Sequence, residues 1–258
     1  MLIDLSNPET FPSKLIKAVI NYISSLPKTI IEEIQAKKIE HPSDVRLAIE
    51  DYFRPNKMFS EWLYEELEPI MENENLILFH ATRLLNKDDI FRNGLLAIEW
   101  EWYNEKIKQV LKHCELSDDE VTEALNILKK EYERKYTDSS KGICFFSIYE
   151  PELIDDSSSF EVYCENIGGE LATVFEEQMP KAYLELKKLG EPVIVKFCVP
   201  FAKIASYKKQ DIIFHFVCNI VAKFIWDFNY FVLFDGQVIC DIPPENILEV
   251  IPCLNSVL

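Results

Sequence analysis

The chain has 258 residues, a formal net charge of −17, 48% hydrophobic residues and only 6 glycines. This composition excludes a disordered or low-complexity chain, and the length allows one large domain or a medium domain with a smaller appendage. The longest apolar run, 212–226, is interrupted by polar residues and is shorter than the roughly 20 residues that span a bilayer, so no membrane partner is expected.

The N-terminus and the cysteines both favour a cytoplasmic location. The first residues lack the basic and then apolar stretches of a secretion signal. Seven cysteines are scattered singly, without a Cys-x-x-Cys pair, which is typical of reduced thiols. The four histidines lack metal-ligand spacing, and no metal is expected. The negative charge repels phosphate backbones and disfavours nucleic acid as a partner, while it suits a basic protein partner.

The first part of the chain is predicted to be helical. Apolar residues recur at helical spacing in four stretches, 14–23, 29–36, 44–53 and 61–71. Ser43 and Ser60 precede the last two stretches as candidate N-caps. These segments predict an N-terminal helical subdomain over 1–74.

A buried strand and a helical insertion follow. The apolar run 76–80 predicts a strand, and a short helix over 87–93 is followed by Gly94 as a left-handed cap. The charged segment 100–137 predicts an antiparallel pair of helices, with a capping box formed by Ser117 and Glu120.

The remaining sequence mixes strand and helix patterns. Strand composition occurs at 143–147, 193–199, 230–234, 238–242 and 247–251, and helix patterns at 171–189 and 211–227. Asp235-Gly236 predicts a tight hairpin turn. The fold class predicted for the domain 75–258 is therefore α+β with antiparallel pairing.

Three separated segments carry the candidate binding and catalytic residues. They are His80-Ala81-Thr82-Arg83 at the end of the first predicted strand, the strand Gly142–Ser147, and Gly168-Gly169-Glu170. Common nucleotide and hydrolase motifs such as GxxxxGK[ST], GxGxxG, HExxH and GxSxG do not occur. Polar groups at strand ends are rigidly placed to contact a ligand, although each segment alone is also typical of ordinary strand ends and turns.

The order of these segments resembles the ADP-ribosyltransferase superfamily. His-Ala-Thr is similar to the His-Gly-Thr of the poly(ADP-ribose) polymerase and diphtheria-toxin branch, and Gly142–Ser147 is similar to that branch's Gly-x-Tyr-Phe-[Ala/Ser]. Some bacterial members also carry a Gly-Gly-Glu. The resemblance covers about 76–250 and implies a split antiparallel sheet that binds NAD as substrate.

The resemblance also implies roles for the first segment. His80 would bind the ribose on the adenine side of NAD, and the backbone of Ala81 would hold the nicotinamide amide. Thr82 would support this geometry, and Arg83 would complete the NAD-binding segment.

The later segments would complete the nicotinamide site. Phe146 or Tyr163 would stack on the nicotinamide ring, and Ser147 would line the pocket. Glu170 would bind the nicotinamide ribose and stabilise an oxocarbenium-like centre. Many relatives have this glutamate at the start of a late strand, so Glu245 is a competitor for the role.

The implied function is transfer of ADP-ribose from NAD to a macromolecule, with protein as the favoured acceptor, in a toxin, defence protein or effector. NAD hydrolysis at the same centre and a catalytically inactive module that docks through its acidic surface are the alternatives. An RNA 2′-phosphotransferase would need more basic residues than Arg83 near the site. A toxin, defence protein or effector of this kind could also have an inhibitor or activator protein as a partner.

Overall fold

The computed structural model describes residues 1–53, 57–136, 141–147, 167 and 169–252. In these residues the protein has an α+β architecture, as the sequence predicts. Tyr163 and Gly168 of the predicted site lie outside the described residues.

Six strands of the described residues form one sheet. They are β1 (Leu2–Asp4), β2 (Asn75–Leu84), β3 (Ile143–Phe146), β4 (Glu191–Pro200), β5 (Asp235–Val238) and β6 (Ile247–Pro252). The strand order is β5-β3-β2-β4-β6, and β1 pairs with β2. The β1–β2 pair is parallel, whereas the β2–β3 and β4–β6 pairs are antiparallel.

Twelve α-helices are described. They are α1 (Ser13–Ser25), α2 (Lys28–Gln35), α3 (Pro42–Phe53), α4 (Lys57–Trp62), α5 (Glu68–Met71), α6 (Asp88–Asn93), α7 (Trp100–Leu111), α8 (Asp118–Lys135), α9 (Gly169–Ala172), α10 (Phe175–Gln178), α11 (Pro180–Lys188) and α12 (Ser206–Val221). Wider π-type turns continue α4 and α12. Among the described residues, no helix combines the length and the apolar character needed to cross a bilayer.

The chain divides into two compact units, Met1–Leu78 with Cys198–Gly236, and Phe79–Phe197 with Gln237–Leu258. The segment 1–74, predicted as a helical subdomain, falls in the first unit. That unit also contains the later helix α12, which the sequence-based division assigns to the second domain.

The first unit is built on the amphipathic helix α1. Leu15, Val19 and Ile23 are buried at a spacing of four residues, which places them on one face of the helix. α1 packs against α12, where Phe216 is fully buried. The ring of Phe216 meets that of Phe11 edge-on, with centroids 4.7 Å apart.

The second unit has a core in which α7, α8, α10 and α11 meet. Ile107, Leu128, Phe175 and Leu186 belong to one cluster of buried side chains. The predicted capping box at the start of α8 is confirmed, because the Ser117 side chain accepts from the Glu120 amide while the Glu120 carboxylate accepts from the Ser117 amide. Burial of each large aliphatic side chain contributes about 1.5–3 kcal/mol.

Two predicted N-caps are wrong, because Ser43 lies inside α3 and Ser60 lies inside α4. At the start of α3 the carboxylate of Asp44 takes the capping role. It accepts hydrogen bonds from the amides of His41 and Glu40 at 2.8 and 3.0 Å. A carboxylate in the first turn also favours the helix dipole.

The predicted hairpin around Asp235-Gly236 is wrong, since both residues lie in β5 and 230–234 has no strand. Tyr230 is buried for another reason. Its ring lies 5.2 Å from that of His215, and its carbonyl accepts from the Asn219 side chain at 2.9 Å. The apolar pattern there reflects packing on α12 rather than strand pairing.

The predicted helix 171–189 is three shorter helices, α9, α10 and α11. Pro180 is the first residue of α11. Proline lacks the amide hydrogen that a continuing helix needs, so it begins a new helix there.

Candidate active site

The second unit contains a cavity of about 490 Å³. The described residues that line the cavity lie at the end of β2, in the segment that contains α6, in α7, at Tyr136, in β3 and at the start of α9. This volume lies within the range of about 300–1,000 Å³ that is usual for small-molecule sites.

The cavity brings together residues that are far apart in the sequence. His80, Ala81, Thr82 and Arg83 line it from β2, and Glu170 lines it from α9. Residues from all three predicted segments therefore line one cavity, because Gly142 and Cys144 also contribute to its lining.

His80 is held in a defined protonation state. Its Nδ1 lies 2.7 Å from the carbonyl oxygen of Cys144 in β3. A carbonyl only accepts, so Nδ1 carries the proton and donates. Burial lowers the pKa of His80, and the hydrogen bond to Cys144 opposes this in part. The ring is therefore neutral near pH 7, which leaves Nε2 as a hydrogen-bond acceptor.

The three residues after His80 differ in burial. Ala81 is buried at 5% exposure, whereas Thr82 and Arg83 are partly exposed, as expected where a strand runs along a cavity. The Nε of Arg83 donates to the carbonyl oxygen of Leu189 at 2.6 Å. Leu189 follows α11, so this bond ties the end of that helix to β2.

Glu170 is the second residue of α9 and keeps 43% of its side chain exposed. Its Oε1 lies 2.9 Å from the Nζ of Lys135, the last residue of α8. Gly169 has φ of 61°, a left-handed conformation that favours glycine. A Cβ at Gly169 would meet no atom of the described residues within 4 Å, so the backbone conformation explains the glycine.

Gly94 has the positive φ, 71°, that the sequence predicts for a cap after α6. It also lines the cavity. A Cβ there would lie 1.9 Å from the carbonyl oxygen of Ile242, so both conformation and space require glycine.

The remaining predicted residues lie elsewhere or outside the described residues. Phe146 pairs in register with Phe79 and is 6% exposed, and Ser147 is fully buried. Neither is among the described residues that line the cavity. Tyr163 is outside the described residues. Glu245 is exposed in a short 3-10 turn before β6 and is not among the described lining residues either.

Sequence reasoning missed the aromatic side chains that do line the cavity, Trp102, Tyr103 and Tyr136. Burial, and secondarily the charge of Glu170, raise the pKa of Tyr136, so its phenol is protonated and can donate a hydrogen bond. Tyr136 directly follows α8, but nothing in the local sequence marks it as a site residue. Only the tertiary arrangement of the insertion reveals it.

No protein-family model matches the chain, and no curated protein or solved structure shows significant similarity to it. Within the described residues, no group of three or more His, Cys, Asp or Glu side chains is arranged to hold a metal ion. The interpretation of the site therefore depends on its own geometry and on the motif resemblance.

Proposed function

We propose that the protein is an ADP-ribosyltransferase, with the fold of that superfamily, that transfers ADP-ribose from NAD to a macromolecular acceptor. One observation carries the proposal. His80, which the motif resemblance assigns to the adenine-side ribose of NAD, and Glu170, which it assigns to the nicotinamide ribose, line a single cavity with Ala81, Thr82 and Arg83.

The state of His80 suits ribose binding. Because Nδ1 donates to the Cys144 carbonyl, the neutral ring offers Nε2 as an acceptor for a ribose hydroxyl. Ala81, whose backbone the motif resemblance assigns to the nicotinamide carboxamide, lines the same cavity. Tyr136 and Trp102 supply aromatic surface in the same cavity for a planar ring.

Glu170 would act on the bond that breaks. When the bond between the ribose carbon and the nicotinamide nitrogen cleaves, both bonding electrons leave with nicotinamide, which becomes neutral, and positive charge develops on the ribose. A carboxylate stabilises this charge more than it stabilises bound NAD, so it accelerates the step. The acceptor nucleophile then bonds to the ribose carbon and loses its proton.

The acceptor that we favour is a protein. The chain's charge of −17 repels nucleic acid and suits a basic partner. Glu170 is 43% exposed, so water has access to the same centre, and NAD hydrolysis is the close variant of the reaction. Cys114, Cys198 and Cys218 carry free thiols, which suits the reducing cytoplasm as the site of action.

The test measures nicotinamide release from NAD by wild type, His80→Ala, Glu170→Gln and Glu245→Gln, with and without cell lysate. We expect release that depends on lysate, is lost in His80→Ala and Glu170→Gln, and persists in Glu245→Gln. Glu245→Gln is the matched control, because Glu245 is an exposed carboxylate of the same unit.

Other outcomes have distinct meanings. Release that is equal without lysate would identify an NAD hydrolase. Loss in Glu245→Gln with normal activity in Glu170→Gln would overturn the assignment of Glu170. Correctly folded wild-type protein without release in any condition would reject the enzymatic proposal in favour of a binding module.

A further inference from the structure

Helix α7 and the turn that follows it present a polar stripe to the rim of the cavity. Lys106, Gln109 and His113 are exposed and all three line it. On the neighbouring face, Tyr103 and Ile107 are buried in the core of the unit, which fixes the orientation of the helix. Lys106 and Gln109 are three residues apart on α7, so they project from one side of the helix, and His113 lies in the turn that directly follows it.

The stripe is rich in hydrogen-bond donors. Lys106 offers an ammonium group and Gln109 an amide. The Nδ1 of His113, in the turn after α7, donates to the carbonyl oxygen of Gln109 at 2.8 Å, so this nitrogen is not available to a phosphate. Among the described residues Lys106 has no hydrogen-bond or ion-pair partner, so its charge is available to a ligand.

The charge of the cavity differs from that of the whole chain. Among the described residues, two cationic side chains, Arg83 and Lys106, and two carboxylates, Asp89 and Glu170, line it. Glu170 is also paired with Lys135. The described lining is therefore balanced in charge, unlike the whole chain with its net charge of −17, and these residues repel an anionic ligand less strongly than the general surface does.

We infer that Lys106 and Gln109 of this stripe bind the diphosphate of a nucleoside diphosphate ligand. Phosphate oxygens accept hydrogen bonds only, and they bind most strongly to charged donors such as an ammonium. The inference rests on the proposed use of NAD, and it assigns the helical insertion, rather than the strand motifs, to recognition of the phosphates.

The test measures the affinity of wild type, Lys106→Gln and Lys108→Gln for ADP-ribose and for adenosine by calorimetry. Lys108 is the matched control, because it is an exposed lysine of α7 that does not line the cavity. We expect Lys106→Gln to weaken ADP-ribose binding about tenfold, the loss typical of a charged hydrogen bond. Adenosine binding should not change, and added salt should weaken ADP-ribose binding less in Lys106→Gln than in wild type.

Equal ADP-ribose affinities in Lys106→Gln and Lys108→Gln, or no binding of ADP-ribose to wild type, would overturn the inference. Nicotinamide release from NAD is measured on the same proteins to separate the two proposals. Release without an effect of Lys106 on affinity would leave the proposed function intact and reject the diphosphate stripe. Affinity that depends on Lys106 in a protein without release would support the stripe and reject the transferase.

Discussion

The Nζ of Lys135 lies 2.9 Å from the carboxylate of Glu170 and 3.4 Å from the backbone oxygen of the same residue. Lys135 ends α8 of the helical insertion, and its side chain is 20% exposed. The insertion therefore holds the carboxylate to which we assign the reaction, and Lys135 is a positioning residue.

Replacing Lys135 should affect the chemical step more than substrate binding. We expect Lys135→Met to lower kcat for nicotinamide release about tenfold with little change in KM, because a displaced carboxylate stabilises the transition state less well. Lys135→Arg should retain most of the activity. Lys181→Met, which removes an exposed ion pair with Glu120, is the control. A wild-type kcat in Lys135→Met would contradict the positioning role.

The pH dependence of turnover should report on His80. Burial lowers the pKa of His80, so the neutral ring persists below the usual value of about 6.5. If Nε2 accepts from the ribose, kcat/KM stays constant as the pH falls to about 6.5 and declines only below it. In His80→Gln the rate should be lower throughout and this decline should be absent. A midpoint at or above 6.5 that disappears in His80→Gln would contradict the lowered pKa of His80, and a rate that falls as the pH rises would show that the charged ring is the active form.

The fold and the site differ in how far the sequence predicts them. Helical periodicity identifies α1 and the two long helices of the insertion, and the capping residues locate the start of α8, because these signals are local. The apolar run at 230–234 has strand composition, but Tyr230 is buried by packing on His215. Local composition does not distinguish burial in a paired strand from burial by side-chain packing on a helix.

Local sequence patterns also predict only part of the cavity. The motif at 80–83 marks one wall of it, since strand ends with polar residues are recognisable. The wall formed by α7 is not predictable in this way. The sequence shows that α7 has an apolar face, but which strand lies near its polar stripe depends on tertiary packing.

Two glycines with positive φ should respond differently to alanine. Gly94 and Gly169 have φ of 71° and 61°, so the backbone of an alanine would be strained by about 1–3 kcal/mol at either position. Only at Gly94 would the added Cβ also collide with a backbone oxygen, that of Ile242 at 1.9 Å. We expect Gly94→Ala to lower the free energy of unfolding by about 3 kcal/mol or more. Urea denaturation of both variants provides the comparison, and equal losses would refute the steric argument.

His215 should make the stability of the first unit sensitive to acid. The side chain is 3% exposed, its Nε2 has no hydrogen-bond partner in the described part of the chain, and its ring lies 5.3 Å from that of Phe234. Burial lowers the pKa of His215 to about 4, with a smaller opposing contribution from a hydrogen bond to the Leu5 backbone.

Because the unfolded chain has a histidine pKa of about 6.5, it takes up a proton before the folded protein does as the pH falls. The free energy of unfolding therefore decreases from about pH 6.5 to about pH 4, by up to about 3 kcal/mol from this residue. We expect urea midpoints to fall less steeply over this range in His215→Met than in wild type. His41→Asn, at an exposed site, should follow wild type. Parallel pH curves for wild type and His215→Met would mean that His215 is not the residue whose protonation destabilises the fold.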